Sequence, residues 1–294
     1  MSKILELPMP NEVQQAFQAV FLRIYGLLHA SESVLAGALD DVPANSAVGK
    51  ANGKNVRDPY EQARLLFLAI DDHLRSILFF FEHGPLPMFA LYSLLRPAAE
   101  AVVRCAYLLD DSTDETGRLA RGLNVRIENL LEQHKIAKDQ ALLDRAFATI
   151  EQKAATNGIV ALRKSPTSPL RVGEPRLKET ALFARFIPPH GEELYRFLSA
   201  HVHSMPWVRI SKDKAVPTGE PGVSSMPQVL DMNTFAGAAG LVLRRHEANI
   251  QRFVVLAGYP LMVWTEAMKS AKAAAQSRLR ELAERQSREK GAPQ

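Results

Sequence analysis

The sequence has little of what marks secreted, metal-binding or membrane-spanning proteins. Its one cysteine, Cys105, excludes an intramolecular disulfide and a multi-cysteine metal site. The longest uncharged apolar run, 253–264, covers about 12 residues and contains Gly258 and Pro260, whereas a membrane helix needs about 20 apolar residues. The first residues also lack the apolar stretch and small-residue cleavage site of a secretory signal. We therefore expect a cytoplasmic protein without a membrane segment.

Basic residues are concentrated in two segments of a chain whose composition is otherwise ordinary. The 294 residues are 47% hydrophobic and 23% charged, with a formal net charge of +4, which permits a large buried core. Segments 159–178 and 261–294 are the basic ones, and positive patches attract phosphate groups. The candidate phosphate- or RNA-binding residues of the first segment are Arg163, Lys164, Arg171 and Arg176. A solvated loop and a solvated helix are the alternative interpretation of these charges.

Apolar residues recur at spacings of three and four along nearly the whole chain and almost nowhere alternate as they do in a strand. This pattern predicts an all-α fold. Capping residues and helix breakers place the longer predicted helices at about 11–39, 59–83, 86–110, 112–138, 139–157, 192–204, 229–257 and 261–289. Segments 42–57 and 210–228 are rich in Pro, Gly and small polar residues without periodicity, so they are predicted to be a flexible loop and an irregular stretch.

The chain shows no internal repeat and no shift in composition that would divide it. We therefore predict a single helical-bundle domain over residues 1–260. In this prediction residues 261–294 form a basic C-terminal helix that protrudes as a tail. The segment 86–110 is apolar nearly all round, which predicts that it is the central and most buried helix.

Charged residues interrupt two of the apolar helices. Arg96, Glu100 and Arg104 are spaced by four, so they form one charged stripe on the predicted central helix. Asp71, Asp72 and His73 interrupt the preceding helix in the same way. Because an unpaired buried charge costs several kcal/mol, these residues need partners or a polar cavity. A salt-bridge network between the two helices and a functional polar pocket both remain open.

A third set of polar residues lies in the sequence GEELYRFLSAHVHSMP at 191–206. On a helix, Tyr195, Arg196, Ser199 and His203 share one face because of their spacing. A guanidinium can stabilise charge that develops on a phosphoryl group, and a neutral imidazole can take a proton from an attacking hydroxyl. An RNA 2′-hydroxyl could serve as that nucleophile without a metal ion. The face is therefore a candidate site for RNA cleavage.

An arginine and a histidine separated by four to six residues on a late helix of an all-α domain resemble the HEPN superfamily. Arg196 has this spacing to both His201 and His203, and the choice between the two histidines stays open. Further similarity to HEPN-like families of uncharacterised bacterial proteins lies in DHL at 72–74, RPAAE at 96–100, the arginines of 118–126 and YRFLSAHVH at 195–203. The resemblance covers about residues 60–205.

The HEPN superfamily includes metal-independent ribonucleases that act as dimers, alongside members without catalytic activity. The resemblance therefore implies an endoribonuclease of a bacterial defence or stress system, with RNA as its partner, a homodimeric form and no metal or cofactor. Arg196 and His203 would be the catalytic pair, with Ser199 and Tyr195 orienting the reaction. The residues that support them would be His73, Asp72, Arg96 and Glu100. A non-catalytic helical binding or regulatory protein, in which the same residues form a buried network or a ligand pocket, is the alternative.

The sequence DDSTD at 110–114 matches the D-D-x-x-D pattern of isoprenoid synthases, which are also all-α. Those enzymes place the motif inside a helix and use a second metal-binding cluster, which is not found in this sequence. Here the acidic residues lie at a helix end and are followed by Ser112 and Thr113. This arrangement predicts the end of one helix and the start of the next, so no metal site is expected there.

Overall fold

The computed structural model describes residues 11–35, 41–54, 56–84, 86–87, 89–163, 170–173, 177–203, 205, 216–217, 224–225 and 230–291. Of these residues 80% are helical, in 10 helices, which confirms the predicted all-α fold. The helices are α1 (Asn11–Leu35), α2 (Ala47–Gly53), α3 (Asp58–His83), α4 (Ala90–Leu108), α5 (Glu115–Ala137), α6 (Gln140–Thr156), α7 (Glu179–Phe186), α8 (Gly191–Val202), α9 (Met232–Leu256) and α10 (Leu261–Gly291). Two short antiparallel hairpins pair β1 (Ala161–Leu162) with β2 (Arg171–Val172), and β3 (Val216–Pro217) with β4 (Ser224–Ser225).

Helix α4 is the centre of the fold, as its apolar sequence predicts. Of its 19 residues, 12 are buried, and it packs against α3, α9, α8 and α7. Helix α3 precedes it in a helical hairpin and ends before Gly84, whose backbone is extended (φ −152°). A helix with neighbours on most sides can bury apolar side chains on most sides, which is why α4 carries few polar residues. The few charged residues of α4 are therefore candidates for a functional role.

Helix α10 packs along α1 and, more lightly, against α9. Trp264 is 1% exposed, and Met268, Ala271 and Ala275 continue a buried stripe at spacings of four and three. Such a stripe gives a helix one apolar face to bury. Although the sequence predicts a protruding tail, α10 belongs to the packed bundle as far as Leu282, which is 7% exposed. The domain boundary at residue 260 stays a prediction.

The predicted loop at 42–57 is wrong in one respect, because it contains the short helix α2. The hydroxyl of Ser46 caps this helix by accepting a hydrogen bond from the Gly49 amide at 2.9 Å. Val48 and Ala51 are 0% and 1% exposed, so the segment is anchored in the core. Seven residues make only about two turns, which is too short for a helical period to be visible in the sequence.

The DDSTD sequence forms the turn between α4 and α5, as predicted. Asp110 accepts hydrogen bonds from the amide and hydroxyl of Ser112 at 3.1 and 2.9 Å and from Arg121 Nη1 at 3.0 Å. Asp114 caps α5 by accepting from the Gly117 amide at 2.7 Å. These bonds engage the carboxylates that a metal-binding motif would present. In the described part of the chain, no group of three His, Cys, Asp or Glu residues could hold a metal ion.

Asn124 of α5 holds the β1–β2 hairpin on the bundle. Its side-chain Nδ2 donates to the carbonyl of Val172 at 2.8 Å, and its Oδ1 accepts from the amide of Val172 at 2.9 Å. The amide side chain thus pairs with the backbone of β2 as a neighbouring strand would. Asn124 is 6% exposed and Val172 0%, so water cannot replace these bonds.

Replacement of Asn124 by alanine is expected to lower the free energy of unfolding by about 2 to 3 kcal/mol, because two buried backbone groups of Val172 lose a partner. Chemical denaturation followed by far-ultraviolet circular dichroism measures the change. Asn129→Ala is the matched control, since this side chain of the same helix is exposed and donates to Gln62 at 3.1 Å in an exposed contact. The control is expected to change stability by less than about 0.5 kcal/mol. Equal losses in the two variants would contradict the role of Asn124.

Candidate functional site

Helix α8 carries the predicted site, and its position depends on a close contact with α7. It begins at Gly191, where an added Cβ would lie 1.9 Å from the carbonyl oxygen of Phe183. Glycine therefore permits the start of α8 to touch the backbone of α7. Leu194 and Leu198 are 5% and 0% exposed and anchor one face of α8 in the core. The polar residues at the edge of this face meet α4.

The guanidinium of Arg96 joins α4 to α8. Its Nη1 lies 3.2 Å from Ser199 Oγ and 3.3 Å from His203 Nε2, and its Nε donates to Glu100 Oε1 at 3.0 Å. The Cζ atom lies 5.5 Å from the centre of the Tyr195 ring, within cation–π range. Five residues of the predicted site thus come together: Arg96, Glu100, Tyr195, Ser199 and His203. These five residues form the Arg96 cluster.

The contact between Arg96 and His203 involves Nε2 of the imidazole. A guanidinium has donors and no acceptor, so a hydrogen bond to Nε2 requires that this nitrogen be unprotonated. A neutral imidazole with its proton on Nδ1 meets the requirement. His203 occupies the C-cap of α8 and is exposed, whereas the Arg96 side chain is 16% exposed. The imidazole of His203 therefore lies at the solvent-facing edge of the cluster, beside the largely buried charge of Arg96.

Arg104, the third residue of the charged stripe, pairs with α7. Its Nε and Nη2 lie 3.1 and 2.6 Å from Glu179 Oε1. Burial lowers the pKa of Arg104, but the hydrogen bonds and charge of Glu179 outweigh it and leave that pKa raised. The sequence left open a salt-bridge network between α3 and α4. Among the described residues, the stripe instead pairs within α4, where Arg96 contacts Glu100, and finds its other partners on α7 and α8.

Arg196 lies outside the Arg96 cluster. Its Nε and Nη2 contact Glu192 Oε1 at 3.1 and 2.7 Å, and its side chain is 71% exposed. It lies seven positions before His203, which is about 10.5 Å along a helix axis. Arg96, which the sequence placed in a supporting role, is thus the guanidinium that contacts His203. The catalytic pairing of Arg196 with His203 stays a prediction.

His201 is buried in an aromatic cluster. Its ring centre lies 3.9 Å from that of Tyr92 and 4.3 Å from that of Phe197, and its Nδ1 contacts the Phe197 carbonyl at 2.9 Å. The residue is 5% exposed. Of the two histidines that the sequence left open, His203 is the one accessible to a substrate from solvent.

Asp72 and His73 do not join the Arg96 cluster through any hydrogen bond or ion pair of the described residues; Asp72 is exposed and His73 is half-buried on α3. The preceding Asp71 instead accepts from Ser31 Oγ at 3.1 Å and lies 3.6 Å from His246 Nε2. Ser31 and His246 are both 0% exposed. This polar contact between α1, α3 and α9 was not predicted. Its only sequence signal was the acidic pair inside an apolar helix.

Two of the predicted phosphate-binding residues, Arg163 and Arg171, lie on the β1–β2 hairpin. Arg163 Nη2 lies 3.2 Å from Glu151 Oε1, and its Cζ lies 5.5 Å from the centre of the Phe147 ring. Arg171 is exposed on β2. The hairpin packs on α5 and α6, whereas the Arg96 cluster lies between α4 and α8. Lys164 and Arg176 lie outside the described residues.

Comparisons with protein families, with curated proteins and with solved structures gave no match to this chain. The resemblance to the HEPN superfamily therefore remains a prediction from sequence motifs. Of the helices in the described ranges, none combines the length and the apolar character that crossing a bilayer requires.

Proposed function

We propose that the protein is a metal-independent endoribonuclease whose reacting groups are His203 and Arg96. The observation that carries the proposal is the position of Arg96 Nη1, which lies within hydrogen-bond reach of Ser199 Oγ (3.2 Å) and His203 Nε2 (3.3 Å) at an exposed helix end. A phosphodiester bound there would meet a positive charge, a hydroxyl and a neutral imidazole in one place. The resemblance to HEPN ribonucleases supports the same chemistry, with Arg196 in the role assigned here to Arg96.

In the proposed reaction the bound phosphate draws the Arg96 guanidinium away from His203 Nε2, and the freed Nε2 takes the proton of a ribose 2′-hydroxyl. The 2′-oxygen then attacks the adjacent phosphorus, and the bond from phosphorus to the 5′-oxygen breaks. Arg96 stabilises the negative charge that develops on the non-bridging oxygens, and Ser199 donates a hydrogen bond to one of them. Water supplies a proton to the leaving 5′-oxygen, and the His203 imidazolium returns its proton to solvent. The products are a 2′,3′-cyclic phosphate and a 5′-hydroxyl.

The remaining members of the cluster position Arg96. Glu100 fixes the Nε side of the guanidinium at 3.0 Å, which leaves Nη1 directed at α8. The Tyr195 ring lies against the guanidinium and restricts its movement. Arg196, exposed on the outside of α8, is available to a second phosphate of a longer RNA strand rather than to the phosphate that reacts.

Cleavage of end-labelled single-stranded RNA in EDTA tests the proposal. His203→Ala is expected to slow cleavage by about 10²- to 10⁴-fold, since the general base is lost, and Arg96→Ala by about 10²- to 10³-fold. Arg196→Ala is expected to slow it by less than about tenfold, because only a peripheral phosphate contact is lost. His190→Ala is the matched control, since this exposed histidine precedes α8 and pairs with Glu193 at 3.0 Å; it should leave the rate unchanged.

Two results would contradict the proposed ribonuclease. One is the absence of cleavage by the parent protein across RNAs of different sequence and structure. The other is an equal rate in the His203→Ala and His190→Ala variants when circular dichroism shows that both are folded. A larger loss in Arg196→Ala than in Arg96→Ala would return the catalytic role to the pair predicted from the sequence.

A non-catalytic helical binding or regulatory protein is the second candidate, and one observation favours it. Arg96 is 16% exposed and is already engaged by Glu100, Ser199 and His203 without any substrate. A guanidinium bound in this way stabilises the contact between α4 and α8 by itself. In this case Arg96→Ala lowers the free energy of unfolding, and the parent protein cleaves no RNA.

The homodimer and the cytoplasmic location belong to the same proposal. Leu65, Leu68 and Phe79 of α3 are 58%, 59% and 59% exposed. Leu65 and Leu68 lie one turn apart on the same side of α3. The exposed Asp72 and Arg75 separate them from Phe79. Exposed apolar patches support association with another protein surface, and a second copy of the chain is the partner that the HEPN resemblance implies.

A further inference from the structure

A cavity of about 320 Å³ lies between α1, α9 and α10, apart from the Arg96 cluster. Leu22 and Met268 contribute to its apolar wall, and Arg23, Glu247 and Lys272 contribute its charged groups. The volume corresponds to about ten water-sized groups and lies at the small end of the range of ligand pockets, which is about 300 to 1,000 Å³. The cavity therefore suits a ligand of about ten non-hydrogen atoms.

The charged side of this cavity has one positive charge in excess. Arg23 Nη2 pairs with Glu247 Oε2 at 2.7 Å, which balances one cation with one anion. Lys272 is exposed at the rim of the cavity and has no ion pair or hydrogen bond within the part of the chain that the structure describes. Its Cγ lies 4.0 Å from the Cβ position of Gly26, so the lysine stem runs against α1 beside the cavity. The Lys272 cation and the apolar wall therefore line the same cavity.

We propose that this cavity binds a small monocarboxylate with an apolar body of six to eight carbons. The carboxylate would accept charge-assisted hydrogen bonds from Lys272 and from the Nη1 donors of Arg23, which Glu247 leaves available. The carbon chain would cover Leu22 and Met268 and remove apolar surface from water. This inference is independent of the proposed ribonuclease, since it uses none of the residues of the Arg96 cluster.

Charge balance selects a monoanion over a phosphate ester. One carboxylate cancels the single excess charge that Lys272 supplies. A phosphomonoester would bring a second negative charge within reach of Glu247, and like charges at short range repel. An alkylammonium ion with the same number of carbons would place its positive charge beside Lys272 and Arg23. Both side chains would repel it.

Isothermal titration calorimetry of the full chain with octanoate tests the proposal, with octylamine and octyl phosphate as comparison ligands. We expect saturable one-to-one binding of octanoate, at least about tenfold weaker binding of octyl phosphate and no binding of octylamine. Lys272→Ala is expected to weaken octanoate binding by about tenfold, because one charge-assisted hydrogen bond is lost. Lys269→Ala on the same helix lies outside the cavity lining and should leave the affinity unchanged.

Each contrary outcome overturns a stated part of the proposal. Absence of saturable octanoate binding up to about 10 mM overturns the site itself. Equal binding of octyl phosphate overturns the preference for a monocarboxylate. Equal affinities in the parent, Lys272→Ala and Lys269→Ala proteins, with unchanged circular dichroism, overturn the role of the excess charge. RNA cleavage does not enter any of these measurements, so they stand whether or not the protein is a ribonuclease.

Discussion

Replacement of Asp110 by alanine is expected to lower the free energy of unfolding by about 3 to 5 kcal/mol, because it leaves a buried positive charge without its counter-ion. The Asp110 side chain is 8% exposed, and its Oδ2 lies 3.0 Å from Arg121 Nη1 and 2.5 Å from Arg185 Nη2. Arg121 is 5% exposed, so solvent cannot take over the lost contact. The Tyr107 carbonyl, which accepts from Arg121 Nη1 at 2.9 Å, would be its one remaining oxygen partner among the described residues.

The stabilisation by Asp110 is expected to vanish in acid. Burial alone raises the pKa of Asp110, but the hydrogen bonds from Ser112 and Arg121 and the charge of Arg185 hold that pKa below its usual range. A carboxyl with a lower pKa in the folded state stabilises the protein above its unfolded pKa of about 3.9, and the stabilisation is lost as the pH falls through the folded-state pKa. The difference between parent and Asp110→Ala should therefore be largest near neutral pH and shrink below about pH 4.

Urea denaturation of both proteins at neutral and acidic pH measures this difference. Asp111→Ala is the matched control, since Asp111 is the next residue and is exposed. We expect the control to change the free energy of unfolding by less than about 0.5 kcal/mol. The role assigned to Asp110 is refuted if the two variants lose equal stability at neutral pH. A loss in Asp110→Ala that stays constant in acid would show that packing, and not charge, is responsible.

The fold class could be predicted because helical periodicity is a local property. Residues of α4 that lie three and four positions apart face the same neighbours, and the apolar sequence of 86–110 identified the central helix. The same reasoning missed α2, because a helix of seven residues is too short to show a helical period in the sequence. It also predicted a protruding tail for 261–294, because the buried stripe of α10 continues beyond Met268 with Ala271 and Ala275, which carry little hydrophobicity. Burial of that stripe depends on α1, about 240 residues earlier in the chain.

The candidate site was predicted in part, and the missing part is a long-range contact. Sequence spacing placed Tyr195, Ser199 and His203 on one helix face, and the structure keeps them together with Arg96. Sequence spacing relates residues of one helix only, so it favoured Arg196 of α8 as the arginine that acts with His203. The guanidinium that contacts His203 is 107 residues away in the chain. Only the packing of α8 on α4 brings the two residues together.

The position of α8 also depends on its contact with α7 at Gly191. Among variants that keep every side chain of the Arg96 cluster, Gly191→Ala is expected to disturb that cluster most. The new Cβ would lie 1.9 Å from the carbonyl oxygen and 2.4 Å from the carbonyl carbon of Phe183. This carbonyl accepts a hydrogen bond from the Ile187 amide at 2.9 Å, so it is held in place. The start of α8 must then move away from α7. We expect the free energy of unfolding to fall by about 3 kcal/mol.

Gly237→Ala is the control for this prediction, because an added Cβ in this part of α9 has no atom within 4 Å. Alanine favours a helix over glycine, so the control is expected to raise the free energy of unfolding by about 0.5 to 1 kcal/mol. The two Gly→Ala changes should therefore have opposite signs in chemical denaturation. If Gly191→Ala instead keeps the parent stability, the turn before α8 absorbs the methyl group. The contact with α7 would then not be what holds Ser199 and His203 against Arg96.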